Sequence, residues 1–206
     1  MKIYLRRGSV VTLALLAATA TALLSPANAV AAPPPSPATS EAQALALPPY
    51  ATWIADVTAV TDQAKSYLDS RLPAAGKPAI VLDIDNTSLE AAYSPGIENP
   101  ATKPVLEVAK QAKAAGAAVF FVTARPELIR LLTQHNLRQV GYPNDGISMR
   151  GFFDFSPDQT LKTNARIAIE RRGYTIVANI GNRDTDLGGG HAERTFKLPD
   201  YNGQLN

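Results

Sequence analysis

Apolar positions follow two rhythms along this chain. From Tyr50 onward Trp53, Ile54, Val57, Val60, Ala64 and Leu68 recur every three or four residues, which predicts an amphipathic helix to about Leu72, broken by Pro73 and Gly76. Residues 79–82, 118–122 and 174–180 are instead short apolar runs, the size of strands buried on both faces, and 147–149 is a candidate for one more. Helical stretches separate them: 104–114, ending near Gly116; 127–140; and 158–172, closed by Gly173. In 127–140 the apolar residues Leu128, Leu131, Leu132 and Leu137 are assigned to the inner side. Buried strands alternating with helices predict an α/β fold, a Rossmann-like parallel sheet with helices on both faces. Ligands of such sheets bind beyond the carboxyl ends of the strands, at a switch in strand order.

Residues 1–49 follow neither rhythm. Lys2, Arg6 and Arg7 precede an apolar run at 10–24, and Ala27-Asn28-Ala29 supplies a small-x-small cleavage pattern. This predicts an export signal over 1–29, cut near Ala29, and a secreted product, extracellular or in the cell envelope. The run is shorter than the roughly 20 apolar residues that span a bilayer, so no stable membrane anchor is expected after cleavage. Prolines at 33, 34, 35, 37, 48 and 49 mark 30–49 as an Ala/Pro-rich linker, leaving 50–206 as the folded domain.

Charge and composition remove several classes of function. The net charge is +2, and the signal region carries that excess. No broad basic surface remains, so no nucleic acid partner is expected. The chain has no cysteine, which excludes disulfides, thiol catalysis and thiolate-bound zinc, and with only His135 and His191 a multi-histidine metal site is excluded too.

Polar residues gather where the predicted strands end. The first strand runs into Asp83-Ile84-Asp85-Asn86-Thr87, the second into Thr123-Ala124-Arg125, and the last into Gly181-Asn182-Arg183-Asp184-Thr185-Asp186. Lys162 lies within the first turn or so of the helix before the last strand. In extended chain, Asp83 and Asp85 share a face. Two carboxylates that close repel unless a cation lies between them, and oxygen donors suit a hard cation such as Mg²⁺. An isolated D-x-D-x-T also fits a turn that caps a helix; the apolar strand before it and the companions at other strand ends point instead to a site. Arg125 and Arg166 are left open between substrate phosphate and structural ion pairs. Arg183, His135 and His191 read as surface residues, and Trp53 as core.

Four segments, "VLDIDNT", "FFVTARPE", "LKTNAR" and "GNRDTDL", resemble in order the four motifs of the haloacid dehalogenase-like (HAD) superfamily. Within it the chain resembles the secreted acid phosphatases of the plant-type and bacterial class B-like group, subfamily IIIB, from about Tyr50 to the closing "TFKLP". The resemblance implies that Asp83 is the nucleophile, forming an aspartyl-phosphate, and that Asp85 is general acid and then base. It implies that Thr123 and Lys162 bind the substrate phosphate, with Lys162 also catalytic; Arg125 is the further candidate for substrate binding. One Mg²⁺ would be held by Asp83, Asp85 through its carbonyl, Asn182 and Asp186. Asn182 stands where the family usually has aspartate, which implies weaker metal binding and leaves Asp184 as a substitute ligand. Asp85 separates phosphatases from the family's dehalogenases, which lack an acid there, and implies an acidic optimum. About sixteen residues separate Thr87 from the next helix. That leaves room only for a minimal cap, hence an open site for small phosphomonoesters. The alternatives are a phosphotransferase using the same intermediate, and a catalytically weak binding or storage protein on the same fold.

Overall fold

The computed structural model describes residues 46–74 and 76–205; the expected signal segment and most of the expected linker lie outside them. Five strands form one parallel sheet: β1 (Pro78–Leu82), β2 (Ala118–Pro126), β3 (Gly146–Arg150), β4 (Thr175–Gly181) and β5 (Arg194–Lys197), in the order β3-β2-β1-β4-β5. The apolar run at 79–82 takes the centre. From β1 the chain steps outward through β2 and β3, then returns to the other side of β1 to lay down β4 and β5. The reversal puts the carboxyl ends of β1 and β4 side by side at the switch in strand order, where such sheets bind ligands.

Alternation along β1 divides the core. Ile80 and Leu82 face one side, packing with Trp53, Val57, Ala64 and Leu68 of helix α1 (Tyr50–Arg71) and with Val105 and Val108 of α2 (Lys103–Ala114). Ala79 and Val81 face the other side, joining Phe120, Val122 and Ile176 against Ile169 of α4 (Asp158–Arg171). Two-sided burial explains why the strands read as unbroken apolar runs. Trp53 is fully buried and stacks on Tyr93 at 4.6 Å. Among the described residues no helix is long and apolar enough to cross a membrane.

One stretch departs from its predicted packing. β2 continues to Pro126, Glu127–Ile129 forms a 3₁₀ turn, and helix α3 starts only at Arg130 (Arg130–Gln139). Leu128, Leu131 and Leu132 are 76%, 79% and 52% exposed, not inner. The buried side of α3 is Thr133, Asn136 and Leu137. Asn136 earns its place through a two-way exchange with Asn99: its Oδ1 accepts from the Asn99 amide at 2.8 Å, and its Nδ2 donates to the Asn99 carbonyl at 2.9 Å. These bonds satisfy backbone groups that burial would otherwise leave unpaired, and they turn the helix so that the leucines face out. The short strand β5 is a second feature that apolar runs did not announce.

Candidate active site

Asp83 extends β1 by one residue, its amide donating to the Ile180 carbonyl at 2.9 Å. The chain then turns sharply. The amides of Thr87, Ser88 and Leu89 all converge on the Ile84 carbonyl, at 3.3, 2.9 and 2.8 Å. Asn86 takes the left-handed conformation the turn requires, with φ 52°, which asparagine tolerates better than most residues. The Ser88 hydroxyl donates to the Asp83 carbonyl at 2.6 Å. Asp83 is thereby fixed and buried at the end of the central strand.

Lys162, in the second turn of α4, reaches the same point. Its buried ammonium donates to Asp83 Oδ1 at 2.7 Å and also to Asp186 Oδ1. Asp186 belongs to the one-turn helix α5 (Asp184–Leu187) after β4, and its Oδ2 accepts from the Arg183 amide at 2.8 Å. Two groups hold its backbone: Asn179 Nδ2 donates to the Asp186 carbonyl at 2.9 Å, and fully buried Arg166 donates to it at 2.6 Å. Arg166 also donates to the carbonyls of Gly188 and Gly190. Among the described residues Arg166 makes no ion pair; it braces the loop after Asp186.

Electrostatics here are unbalanced. Burial raises the Asp83 carboxyl to about 7; Lys162 pulls it back, and Asp186 and Asp85 add to the rise. Burial alone would lower Lys162, but the Asp83 and Asp186 charges outweigh it and push it up. One ammonium faces two carboxyls here, so when both are ionised one negative charge is left over. Two carboxylates and a nearby amide oxygen with surplus negative charge fit a hard divalent cation. The Asp85 side chain is taken up by Arg125, and among the described residues no three acidic or histidine side chains form a metal cluster.

Asp85 is gripped by Arg125. The guanidinium donates through Nε to both carboxylate oxygens, at 3.1 and 3.0 Å, and through Nη2 to Oδ1 at 2.6 Å. That fork is therefore on Asp85 and not free toward Asp83. Thr123 is buried, its Oγ1 accepting from the Arg125 amide at 3.1 Å, and its own proton has no acceptor among the described residues. Asn182 is fully buried: its Oδ1 accepts from the Thr87 hydroxyl at 3.2 Å, and its Nδ2 donates to the Leu205 carbonyl at 2.8 Å. Asn86 Nδ2 donates to the same carbonyl at 2.9 Å. Asp184 is exposed, 3.6 Å from Lys197, and Arg183 is half-exposed near Asp158 at 3.5 Å. His191 lies at the surface, 2.6 Å from Glu170, and His135 is exposed too.

Beside this cluster is a cavity of about 350 Å³ lined by Asp85, Arg125, Gly96, Ile97, Ile129, Leu132 and Thr133. Sequence reasoning missed its apolar wall, the Leu205 carbonyl, Ser88 and Asn179. Only Asn179 left a signal, as a polar residue inside the apolar run of β4.

Known proteins bear on this site. The family model described as HAD superfamily, subfamily IIIB (Acid phosphatase) matches residues 96–204, which include Thr123, Lys162, Asn182 and Asp186. The chain is 28% identical to Acid phosphatase 1 of Solanum lycopersicum over 168 residues, 70% of this chain and 66% of that protein. It is 33% identical to the Stem 28 kDa glycoprotein of Glycine max over 105 residues, 48% of this chain and 41% of that one. The chain thus spans less than two thirds of these relatives. The class C acid phosphatase from Bacillus anthracis shares the fold, with a TM-score of 0.60 at 19% identity, over 76% of this chain and 83% of its own. From the family match, the chain belongs to the acid phosphatases of HAD superfamily subfamily IIIB.

Proposed function

We propose that this chain hydrolyses small phosphate monoesters by nucleophilic attack of Asp83, and that it is exported to act outside the cytoplasm. The observation that carries the reading is Asp83 itself, buried at the end of the central strand with Oδ1 on Lys162 and Oδ2 without a partner among the described residues. Oδ2 attacks phosphorus as the bond to the leaving alcohol breaks, giving an aspartyl-phosphate. Repulsion opposes the approach, at about 4 kcal/mol for each pair of unit charges 4 Å apart at an effective dielectric near 20. Lys162 offsets part of it, and the Thr123 hydroxyl donates to a phosphate oxygen. Asp85 delivers a proton to the leaving oxygen, then takes one from the water that attacks phosphorus and frees Asp83. Arg125 holds Asp85 at the mouth of the cavity and releases it for proton transfer. Mg²⁺, held by Asp83, Asp186, the Asp85 carbonyl and the Asn182 amide oxygen, would neutralise charge on the phosphate. Export rests on the signal-like segment at 1–29, and stem glycoproteins among the relatives agree with it.

The test is p-nitrophenyl phosphate hydrolysis with and without Mg²⁺ across pH. Metal-dependent turnover with an acidic optimum is expected, and a profile peaking above pH 8 would remove Asp85 as proton donor. No turnover in a folded protein would favour a binding or storage role, which the Asn182 amide, already bonded to Thr87 and Leu205, supports.

Metal binding has its own readout in thermal melting. With the Asp83 carboxyl raised to about 7, its neutral buried form stabilises the metal-free fold fully below the usual carboxylate range. That contribution is lost as pH rises through 7. A cation that compensates the ionised form recovers the loss, so Mg²⁺ should raise the melting temperature more at pH 8 than at pH 5.

Close packing gives a further prediction. A methyl group on Gly181 would come within 2.4 Å of Asp186 Cβ and 2.6 Å of its Oδ2. Gly181→Ala should therefore displace Asp186 and lower kcat/KM by about 100-fold, as small misplacements of a reacting constellation do. Unchanged kinetics would mean that Asp186 is not needed in its observed position.

A further inference from the structure

Large apolar side chains lie exposed at the same end of the sheet as the site. The turn Glu127–Ile129 and α3 follow the carboxyl end of β2, and residues 151–157 follow that of β3. Pro126 and Arg150 are register partners, so the two segments leave the sheet side by side. One presents Leu128, Leu131 and Leu132; the other presents Phe152, Phe153 and Phe155, the last two 90% and 88% exposed. The phenylalanine loop is braced: Arg150 donates to the carbonyls of Asp154 and Ser156, both at 2.8 Å, and to Asp158 Oδ1 at 2.6 Å. Ile97, exposed as well, meets Ile129 and Leu132 in the wall of the cavity that ends at Asp85 and Arg125.

An apolar surface of this extent on a soluble fold marks a binding site. Leu132 belongs both to this surface and to the cavity wall, and that points to its occupant. A folded partner seated over it would cover the approach to Asp85. A flexible chain entering phosphate first would leave the site working. We infer that the substrates are amphiphilic phosphate monoesters, with the head at Asp83, the first carbons against Ile97, Ile129 and Leu132, and the rest of the chain along the leucines and phenylalanines. This rests on the phosphatase reading and narrows its substrate class.

The experiment measures kcat/KM for n-alkyl phosphates from ethyl to decyl, below their aggregation concentrations, with p-nitrophenyl phosphate as reference. Burial of each methylene predicts a rise of about fourfold per carbon until the cavity wall is covered, mainly through KM. Ile97→Ser combined with Leu132→Ser should flatten that slope, and so should Phe153→Ser with Phe155→Ser for the longest chains. Phosphatidylcholine vesicles carrying dodecyl phosphate distinguish the source. Turnover there that is lost in the phenylalanine variant assigns membrane-borne esters, and turnover of monomers alone assigns dissolved ones. A flat series alongside turnover of p-nitrophenyl phosphate overturns the inference and leaves the phosphatase reading standing. No turnover of any ester overturns that reading instead. Self-association that disappears in the phenylalanine variant would also overturn the inference, by giving the surface to a second copy of the chain.

Discussion

Asp83→Asn should abolish phosphate-ester hydrolysis, lowering kcat by at least about 10⁴-fold, in a chain that still folds. The amide keeps the shape of the carboxylate and can still accept from Lys162, but it cannot attack phosphorus. Folding should even improve under some conditions. In metal-free wild-type protein, ionisation of the buried Asp83 removes stability as pH rises through about 7. The variant has no such group, so its melting temperature relative to wild type should climb between pH 5 and pH 8. Activity within tenfold of wild type would exclude Asp83 as nucleophile. A pH-independent difference in melting would show that its burial carries no such penalty.

Lys162→Met should have the largest effect on stability. Methionine fills much of the same space without the ammonium, leaving Asp83 and Asp186 buried without the cation they now share. Removing one partner of a buried ion pair typically costs about 3–5 kcal/mol, because the remaining charge stays uncompensated. The sign follows from Asp83. Losing Lys162 removes the largest influence lowering that carboxyl, so its folded value rises further above its unfolded one. The variant should come nearest to wild type near pH 4, where Asp83 is neutral, and fall progressively behind as pH increases. Denaturant midpoints at pH 4, 6 and 8 measure this directly. Equal midpoints at pH 8 would mean that another group neutralises the pair. Hydrolysis should be lost as well, since the incoming phosphate would meet two carboxylates and no ammonium.

The fold was legible where physics leaves the sequence little choice. Strands flanked by helices on both sides must be apolar throughout, so residues 79–82, 118–122 and 174–180 identified themselves. Chemistry-bearing residues at the strand ends then had to meet, and Asp83, Lys162 and Asp186 do. What stayed hidden depends on partners distant in sequence. Counting leucines in 127–140 cannot reveal that Asn136 is claimed by the backbone of Asn99, which turns the helix the other way. The grip of Arg125 on Asp85 joins residues forty positions apart, and either side chain alone was consistent with other contacts. Arg166 was ambiguous because its partners are carbonyls, which no residue type advertises. The brief β5 has too few apolar positions to stand out, yet it closes the sheet beside β4.

The shared Leu205 carbonyl has a consequence for how the molecule matures. Asn86 and Asn182, which flank the site on the turns after β1 and β4, both donate to a residue near the far end of the described chain. Bonds across such long separations close late and slowly, because loop-closure entropy must be overcome before the contacts form. A partly folded chain can pair β1, β2 and β3 and so hold Asp83, Asp85, Thr123 and Arg125, while Lys162 and Asp186 are not yet in place. Such an intermediate has Asp83 without the Lys162 ammonium. On the proposed mechanism it would not hydrolyse esters, so turnover would first appear once α4, β4 and the segment carrying Leu205 have docked.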